Sequence, residues 1–270
     1  LHKDVFLEMD WMGSSGWFFG HDHHPNQDQI NTIIQSFAQA PVDNPDGTQG
    51  ITLHVDTGQL GGGEEIQHQG LIDIGTGEDN DPTIWHGVNE LKEAHFAAER
   101  RTVFRYGVFA HRFSLNGQRQ LNRGVSYLAD LLVTLGDPPL WGGLDGDIPG
   151  TFMHELGHTL ELPDEGPDPP GGNYRPNWLS VMNYAFSSSG LLAWHEGNHF
   201  EEGNFDYSRD PLPALNEDSG LREAVGVNGG PLYDGFGTEY RCGGDSHRAR
   251  ATGPIDWNCS GSDQETGVRA

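Results

Sequence analysis

The opening of the chain alternates between the spacing of buried strands and the spacing of an amphipathic helix. Residues 4–11 are rich in apolar side chains and predict a strand. Residues 26–40 place apolar side chains on one helical face, at Ile30, Ile33, Ile34 and Phe37. Pro25 precedes them and favours the start of a helix. Residues 51–55 alternate between apolar and polar side chains, which is typical of a strand. The pattern therefore predicts a strand, a helix and a second strand.

The middle of the chain predicts an inserted loop followed by further regular elements. Residues 58–83 are rich in glycine and aspartate, which is typical of a loop. Residues 85–101 carry Val88, Leu91, His95 and Phe96 along one side and predict a helix. Strands are predicted over 102–113 and 129–135, before a stretch over 136–150 that is rich in glycine and proline.

The most informative motif is His154-Glu155-Leu156-Gly157-His158. Apolar residues around it predict a buried helix that starts near Pro149 and Gly150. Two histidines one helical turn apart point the same way, so both imidazoles can bind one Zn²⁺ ion. Glu155 follows the first ligand directly and can act on a water molecule at the metal. The motif predicts a zinc-binding helix.

The chain from 150 to 186 resembles the metzincin clan of zinc peptidases. The clan's extended pattern is HExxHxxGxxH, or HExxHxxGxxD in snapalysin-like members, followed by a methionine turn. The resemblance implies that Asp164 is the third metal ligand beside His154 and His158. It also implies that Met182, in the sequence Ser-Val-Met-Asn-Tyr, lies beneath the metal. Tyr184 would then stabilise the oxyanion as a hydroxyl donor.

One position departs from the clan pattern, because Glu161 stands where the pattern has glycine. Glycine permits a backbone conformation that costs other residues about 1–2 kcal/mol. Either Pro163 ends the helix differently, or the third ligand is displaced. Asp164 has the spacing of the clan, and Glu165 and Asp168 are the competing ligands.

Two further groups of histidines invite a metal interpretation. His195-Glu196-Gly197-Asn198-His199 repeats the five-residue pattern, but its two central residues disfavour a helix, so we expect a loop. His21-Asp22-His23-His24 lies between the first strand and the first helix. Adjacent side chains on an extended chain point to opposite faces, so we expect a polar loop there.

Composition narrows the setting in which this chain works. The 270 residues carry a formal net charge of −25, and Lys3 and Lys92 are the lysines among 15 basic side chains. Such a charge repels nucleic acid. So acidic a surface needs dissolved salt or bound Ca²⁺ to screen it, which favours a secreted protein. No apolar run is long enough to span a membrane, and no signal segment precedes Leu1, so we expect a mature form without membrane or nucleic-acid partners. We also expect a monomer.

The cysteines and the acidic loops predict two stabilising devices. Cys242 and Cys259 are the two cysteines, and they are expected to form one disulfide, although two buried thiols are the alternative. The stretch from Asp256 and Asn258 to Gly261 resembles half of a Ca²⁺ loop, with Asp43 and Asp46 as a weaker candidate. At both places the residues favour an ordinary turn that is rich in aspartate and asparagine over a Ca²⁺ loop.

Together these patterns predict an α+β, metzincin-like fold, with a mixed twisted sheet and an active-site helix above a loop-rich C-terminal subdomain. The division is expected as 1–165 for the upper subdomain and 166–270 for the lower, which holds the methionine turn and a disulfide-stapled tail. The resemblance implies a secreted zinc metalloendopeptidase that acts on peptide or protein substrates. Catalytic Zn²⁺ and structural Ca²⁺ are the expected ions. A catalytically inactive zinc-binding or adhesion domain of the same fold is the alternative.

Overall fold

The computed structural model of the chain describes residues 1–14, 23–75, 84–134, 136, 147–164, 166 and 173–269. The chain forms two compact units, Leu1–Glu161 and Leu162–Ala270. Each unit contains its own strands and its own hydrophobic core, and each is described here by itself. Within the described residues, no helix has the length and apolar character needed to cross a membrane.

The first unit combines a mostly parallel sheet with three described α-helices. The helices are α1 (Gln27–Ala38), α2 (His86–His95) and α3 (Asp147–Thr159). The strands are β1 (Asp4–Met12), β2 (Thr52–Asp56), β3 (Glu65–Ile66), β4 (Ile72–Asp73), β5 (Phe104–Ala110), β6 (Phe113–Leu115), β7 (Gln118–Arg119), β8 (Gly124–Tyr127) and β9 (Asp130–Thr134).

The main sheet of the first unit is built around β1. Its order is β2-β1-β5-β9-β8, and β3 pairs with the end of β1 beyond β2. Every pairing is parallel except that of β8 with β9. Strands on both edges of β1 pair with its backbone, and its residues from Leu7 to Asp10 are buried, as is typical of a strand inside a parallel sheet. A smaller sheet has the order β4-β6-β7.

The helices of the first unit lie where the sequence predicts them, with local differences in their bounds. Asn26 caps α1 in a capping box with Gln29, which explains why this helix starts where the pattern suggests. The predicted helix over 85–101 is shorter, because Phe96 adopts an extended conformation after α2. A 3-10 turn at Ala98–Arg100 follows. The predicted loop over 58–83 contains the short strands β3 and β4.

The second unit contains more strand than the sequence predicted. Its strands are β10 (Leu191–His195), β11 (His199–Asn204), β12 (Leu221–Arg222), β13 (Phe236–Cys242), β14 (Asp245–Arg250) and β15 (Thr266–Val268). They form a sheet of order β11-β10-β13-β14 and a β12-β15 pair. Glycines with positive φ, such as Gly243 and Gly244 between β13 and β14, make the tight turns that the sequence suggested were loops.

The disulfide expected from the two cysteines is present. It joins Cys242, the last residue of β13, to Cys259, with the two Cα atoms 5.9 Å apart. Cys242 is buried and Cys259 is exposed. The bond therefore fixes the segment that follows β14 to the end of β13, beside the buried Trp257.

A buried ion cluster fixes the loop after β2. Asp56 is fully buried, and its carboxylate accepts hydrogen bonds from the backbone N–H groups of Gly58, Leu60 and Gly62 at 2.8–2.9 Å. The guanidinium of Arg100 donates to Asp56 at 2.5 Å and also forms an ion pair with the buried Glu8. Burial raises the pKa of Glu8, and the charge of Arg100 opposes that rise.

Replacing Arg100 should therefore destabilise the first unit strongly. We expect Arg100→Met to lower the free energy of unfolding by about 3–5 kcal/mol, because two buried carboxylates lose their cation. Arg101→Met is the matched control, since Arg101 pairs with an exposed glutamate, Glu93, and should change stability little. Urea unfolding of both variants measures the difference. Equal losses would contradict the role given to the cluster.

Candidate active site

The His154 to His158 motif lies on α3, as the sequence predicts. Phe152, Met153 and Leu156 are buried, and the ring of Phe152 packs edge-on against Phe109 of β5 with ring centroids 5.4 Å apart. Arg105, also on β5, donates to the carbonyl and hydroxyl oxygens of Thr159 at 3.0–3.4 Å. An arginine at the last carbonyls of a helix satisfies them and complements the helix dipole. The sheet therefore holds α3 along its length and at its end.

The two histidines of the motif face each other on α3. Their Nε2 atoms are 3.2 Å apart, and His154 is buried while His158 is half-buried. Two nitrogen ligands of a tetrahedral Zn²⁺ ion at about 2.0–2.1 Å are separated by about 3.3–3.4 Å. The pair thus has the spacing that two zinc ligands need. The helix makes this spacing possible, because residues four apart lie on one face.

The third predicted ligand lies beside this pair. One ligand atom from each of His154, His158 and Asp164 lies within 4.8 Å of the other two. The arrangement is local, because all three residues lie within 154–164. Two imidazoles and a carboxylate with a fourth position left for water are a donor set that catalytic zinc uses. The residues present therefore fit the metal that the motif predicts.

The backbone at Glu161 explains how Asp164 reaches that position without the glycine of the clan pattern. Glu161 has a φ of 67°, so it adopts the left-handed conformation that glycine would adopt more easily. Backbone N–H groups of Leu160 and Glu161 donate to carbonyls three residues earlier, at 2.9 Å, and end the helix tightly. The chain therefore leaves the helix through a residue in the left-handed conformation, and the strain of that conformation falls on a glutamate. Glu165 and Asp168, the competing ligands, lie outside the described residues.

Glu155 packs against the strand at the edge of the main sheet. Its side chain is buried, and a Cβ atom added at Gly124 of β8 would lie 2.5 Å from its Cγ and 2.6 Å from its Oε1. Only a residue without a side chain fits there. Gly124 therefore helps to determine where the carboxylate of Glu155 lies. The sequence pattern did not single out this glycine, because the contact joins residues that are distant in sequence.

The predicted methionine turn is a compact, buried turn in the second unit. Met182 is fully buried, and its backbone N–H donates to Ser180 Oγ at 3.2 Å. The side chain of Asn183 is the centre of the turn. It donates to the carbonyls of Arg175 and Trp178 at 2.9 Å and accepts from two backbone N–H groups, those of Tyr174 and Ala185. The position of Met182 beneath a metal stays a prediction.

Tyr184 is directly connected to the predicted third ligand. Its hydroxyl donates to Asp164 Oδ2 at 3.0 Å, and its side chain is 46% exposed. A hydrogen bond from a phenol orients a ligating carboxylate and leaves its other oxygen for a metal. This contact gives Tyr184 a positioning role. The oxyanion role that the resemblance implies stays a prediction.

A cavity of about 790 Å³ in the second unit includes Tyr184 in its wall. Aromatic side chains form much of its lining, namely Tyr174, Tyr184, Tyr240 and Trp257. The lining also contains charges of both signs, from Arg175, Arg241 and Glu239. Burial, together with the nearby Asp256 and Glu223, raises the pKa of Tyr240. Pockets of this size and composition accept the side chains of peptides or small organic ligands.

The other sequence candidates adopt ordinary local structure. The second histidine motif forms a hairpin in which His195 ends β10, Gly197 and Asn198 have positive φ, and His199 begins β11. It is not a helix, so the spacing of a zinc pair is lost. Asp256 accepts from the backbone N–H groups of Ser260 and Gly261 at 2.8–3.0 Å.

The remaining candidate calcium ligands make similar contacts. Asn258 accepts from the backbone of Ser260, Asp46 from the backbone and hydroxyl of Thr48, and Asp43 from Gln49. These are the contacts of turns rich in aspartate and asparagine, and calcium binding at either place stays a prediction.

Comparisons with known proteins add no assignment to this site. No protein-family model matches the chain, and no curated protein or solved structure is significantly similar to it. The interpretation of the site therefore depends on its residues and their geometry.

Two substitutions distinguish the role of Asp164 as a proposed zinc ligand from the role of Glu161 in the backbone turn. We expect Asp164→Ala to lower zinc affinity at least about 10-fold, because a ligand is lost from the group of three. Glu161→Gly should keep the affinity and raise the free energy of unfolding by about 1 kcal/mol, since glycine adopts a positive φ without strain. Competition with a chelator and urea unfolding give the two values. An Asp164→Ala variant that holds zinc like the wild type would exclude this ligand.

Proposed function

We propose that the protein is a secreted zinc-dependent endopeptidase. The observation that carries the proposal is the group formed by His154, His158 and Asp164, with the buried Glu155 on the same helix. A structural zinc site closes its coordination with four protein ligands and has no use for a neighbouring base. Three ligands and an adjacent carboxylate fit catalysis better.

Each residue of the candidate active site has a defined task in this proposal. His154, His158 and Asp164 would hold Zn²⁺, which when bound acts as a Lewis acid on water and on the carbonyl of the substrate. Glu155 accepts a proton from the attacking water and later delivers it to the leaving amine. Gly124 leaves the space that the carboxylate of Glu155 occupies. Tyr184 orients Asp164 through its hydrogen bond.

The edge of the main sheet supports a peptide as the substrate. Within the described residues, β8 is the last strand of its sheet and pairs with β9 alone. A strand with one open edge can hydrogen-bond an extended peptide as an additional strand. Because Gly124 of β8 contacts Glu155, a peptide on this edge would lie close to the proposed base. This placement favours hydrolysis of a peptide over that of a compact small molecule.

The central test is the substitution of the proposed base. We expect Glu155→Gln to reduce kcat for cleavage of a peptide library at least about 100-fold, because general-base catalysis is lost, while one equivalent of zinc remains on the histidines and Asp164. Glu196→Gln is the matched control, since it makes the same change in the histidine motif of the hairpin. It should leave activity and zinc content unchanged.

The result also distinguishes the enzyme from its alternative. A wild-type protein that binds zinc in the group of three but cleaves no member of the library would support the inactive zinc-binding or adhesion domain. Wild-type turnover by a zinc-loaded Glu155→Gln variant would rule out the mechanism.

Gly124 provides a second test that leaves every proposed ligand intact. We expect Gly124→Ala to lower kcat by about 10-fold or more with little change in zinc content, because the added methyl group displaces the carboxylate of Glu155. Gly70→Ala is the control, because a Cβ atom at Gly70 meets no atom within 4 Å. Full activity in Gly124→Ala would show that this contact does not position the base.

A further inference from the structure

Three histidines that are distant in sequence meet at one end of the main sheet in the first unit. His111 follows the last residue of β5, His68 lies two residues beyond β3, and His23 is bound to the last residue of β1. The strands β3, β1 and β5 are neighbours and run parallel. Because the carboxyl ends of parallel strands lie at the same edge, the fold brings the three imidazoles together.

Backbone contacts fix His23 in an orientation suited to metal binding. Its backbone N–H and its Nδ1 atom both contact the carbonyl oxygen of Met12, at 3.0 and 3.1 Å. A carbonyl oxygen only accepts hydrogen bonds, so Nδ1 carries the hydrogen in the neutral ring. The lone pair is therefore on Nε2, which faces the other histidines. Metal-binding histidines commonly donate their second ring N–H to a carbonyl in this way.

The distances among the three rings also fit one ion. His23 Nε2 and His111 Nδ1 are 3.3 Å apart, close to the separation of about 3.3–3.4 Å for two nitrogen ligands of tetrahedral zinc. A ligand atom of His68 lies within 4.8 Å of both. His23 and His111 are buried and His68 is half-buried.

We propose that His23, His68 and His111 form a second zinc site, to which they supply three nitrogen ligands. Neutral imidazole is a preferred ligand of Zn²⁺, whereas Ca²⁺ and Mg²⁺ prefer oxygen. None of the three residues belongs to the group on α3, and none lies next to it in sequence. The ion would connect the ends of three strands and the segment 67–75, which follows β3 and contains little regular structure beyond β4.

A hydrogen bond between His23 and His111 is the alternative explanation for the short distance. In that case a proton on His111 Nδ1 would occupy the space between the two nitrogens, and Zn²⁺ would have to displace it. The two explanations differ in metal content. They differ also in the effect of zinc on stability, because an ion that binds only the folded state stabilises it by mass action.

The test uses the full chain with the first site removed. In a His154→Gln/His158→Gln background, we expect one equivalent of zinc per chain after dialysis against a zinc-containing buffer, compared with two for the wild type. Adding His111→Gln should reduce the content to zero. Adding His199→Gln, which changes an exposed histidine of the hairpin, should leave it at one. Elemental analysis gives the ratios, and circular dichroism verifies that each variant is folded.

Thermal unfolding provides an independent readout. Zinc should raise the melting temperature of the background variant, and His111→Gln should abolish that rise. If His111→Gln does not fold, His68→Gln replaces it, because the half-buried His68 tolerates substitution more easily. A folded background variant that binds no stoichiometric zinc would overturn the proposal. This outcome is separate from the peptidase proposal, whose failure leaves the zinc content of the background variant unchanged.

Discussion

The pairing of β1 with strands on both of its edges is the constraint on which the first unit depends. β2 and β3 pair with one edge and β5 with the other, so β1 has no open edge, and its central residues are among the most buried of the unit. This arrangement fixes β5, and β5 in turn holds α3 through Phe109 and Arg105. The histidine pair of α3 therefore owes its position to a strand far from it in sequence. The same pairing brings together the carboxyl ends of β1, β3 and β5.

Buried polar groups hold the irregular parts of both units. Asp56 binds three backbone N–H groups and Arg100, and Asn183 binds two carbonyls and two N–H groups. Backbone polar groups that leave water need partners, and in a loop without a ladder a side chain must supply them. Each of these side chains replaces several missing backbone contacts. This explains how a chain with 39 glycines and 16 prolines can form specific turns beside its sites.

The departure from the clan pattern at Glu161 does not separate Asp164, the predicted third ligand, from the two histidines. Glu161 occupies the left-handed conformation that favours glycine, and Asp164 still lies with the two histidines. The strain of about 1 kcal/mol is small compared with the stability of a folded unit. The resemblance to metzincins is confined to a short part of the chain, and the peptidase function and the two zinc sites remain our proposals.

The sequence by itself determined the features that are set by neighbours along the chain. The pairing of His154 with His158, the capping box of α1 and the strands around it follow from periodicity and local hydrogen bonding, which act over a few residues. The disulfide followed from the presence of two cysteines in the whole chain.

Tertiary structure alone decided the features that join distant segments. The contact of Gly124 with Glu155 and the meeting of His23, His68 and His111 leave no spacing signal in the sequence, because strand order and register create them. The strands of the second unit were also missed, since their short lengths and glycine-rich turns look like loops until pairing satisfies their backbone. Local sequence patterns determine where a helix or strand forms. The segments that pack against it determine which distant side chains it meets.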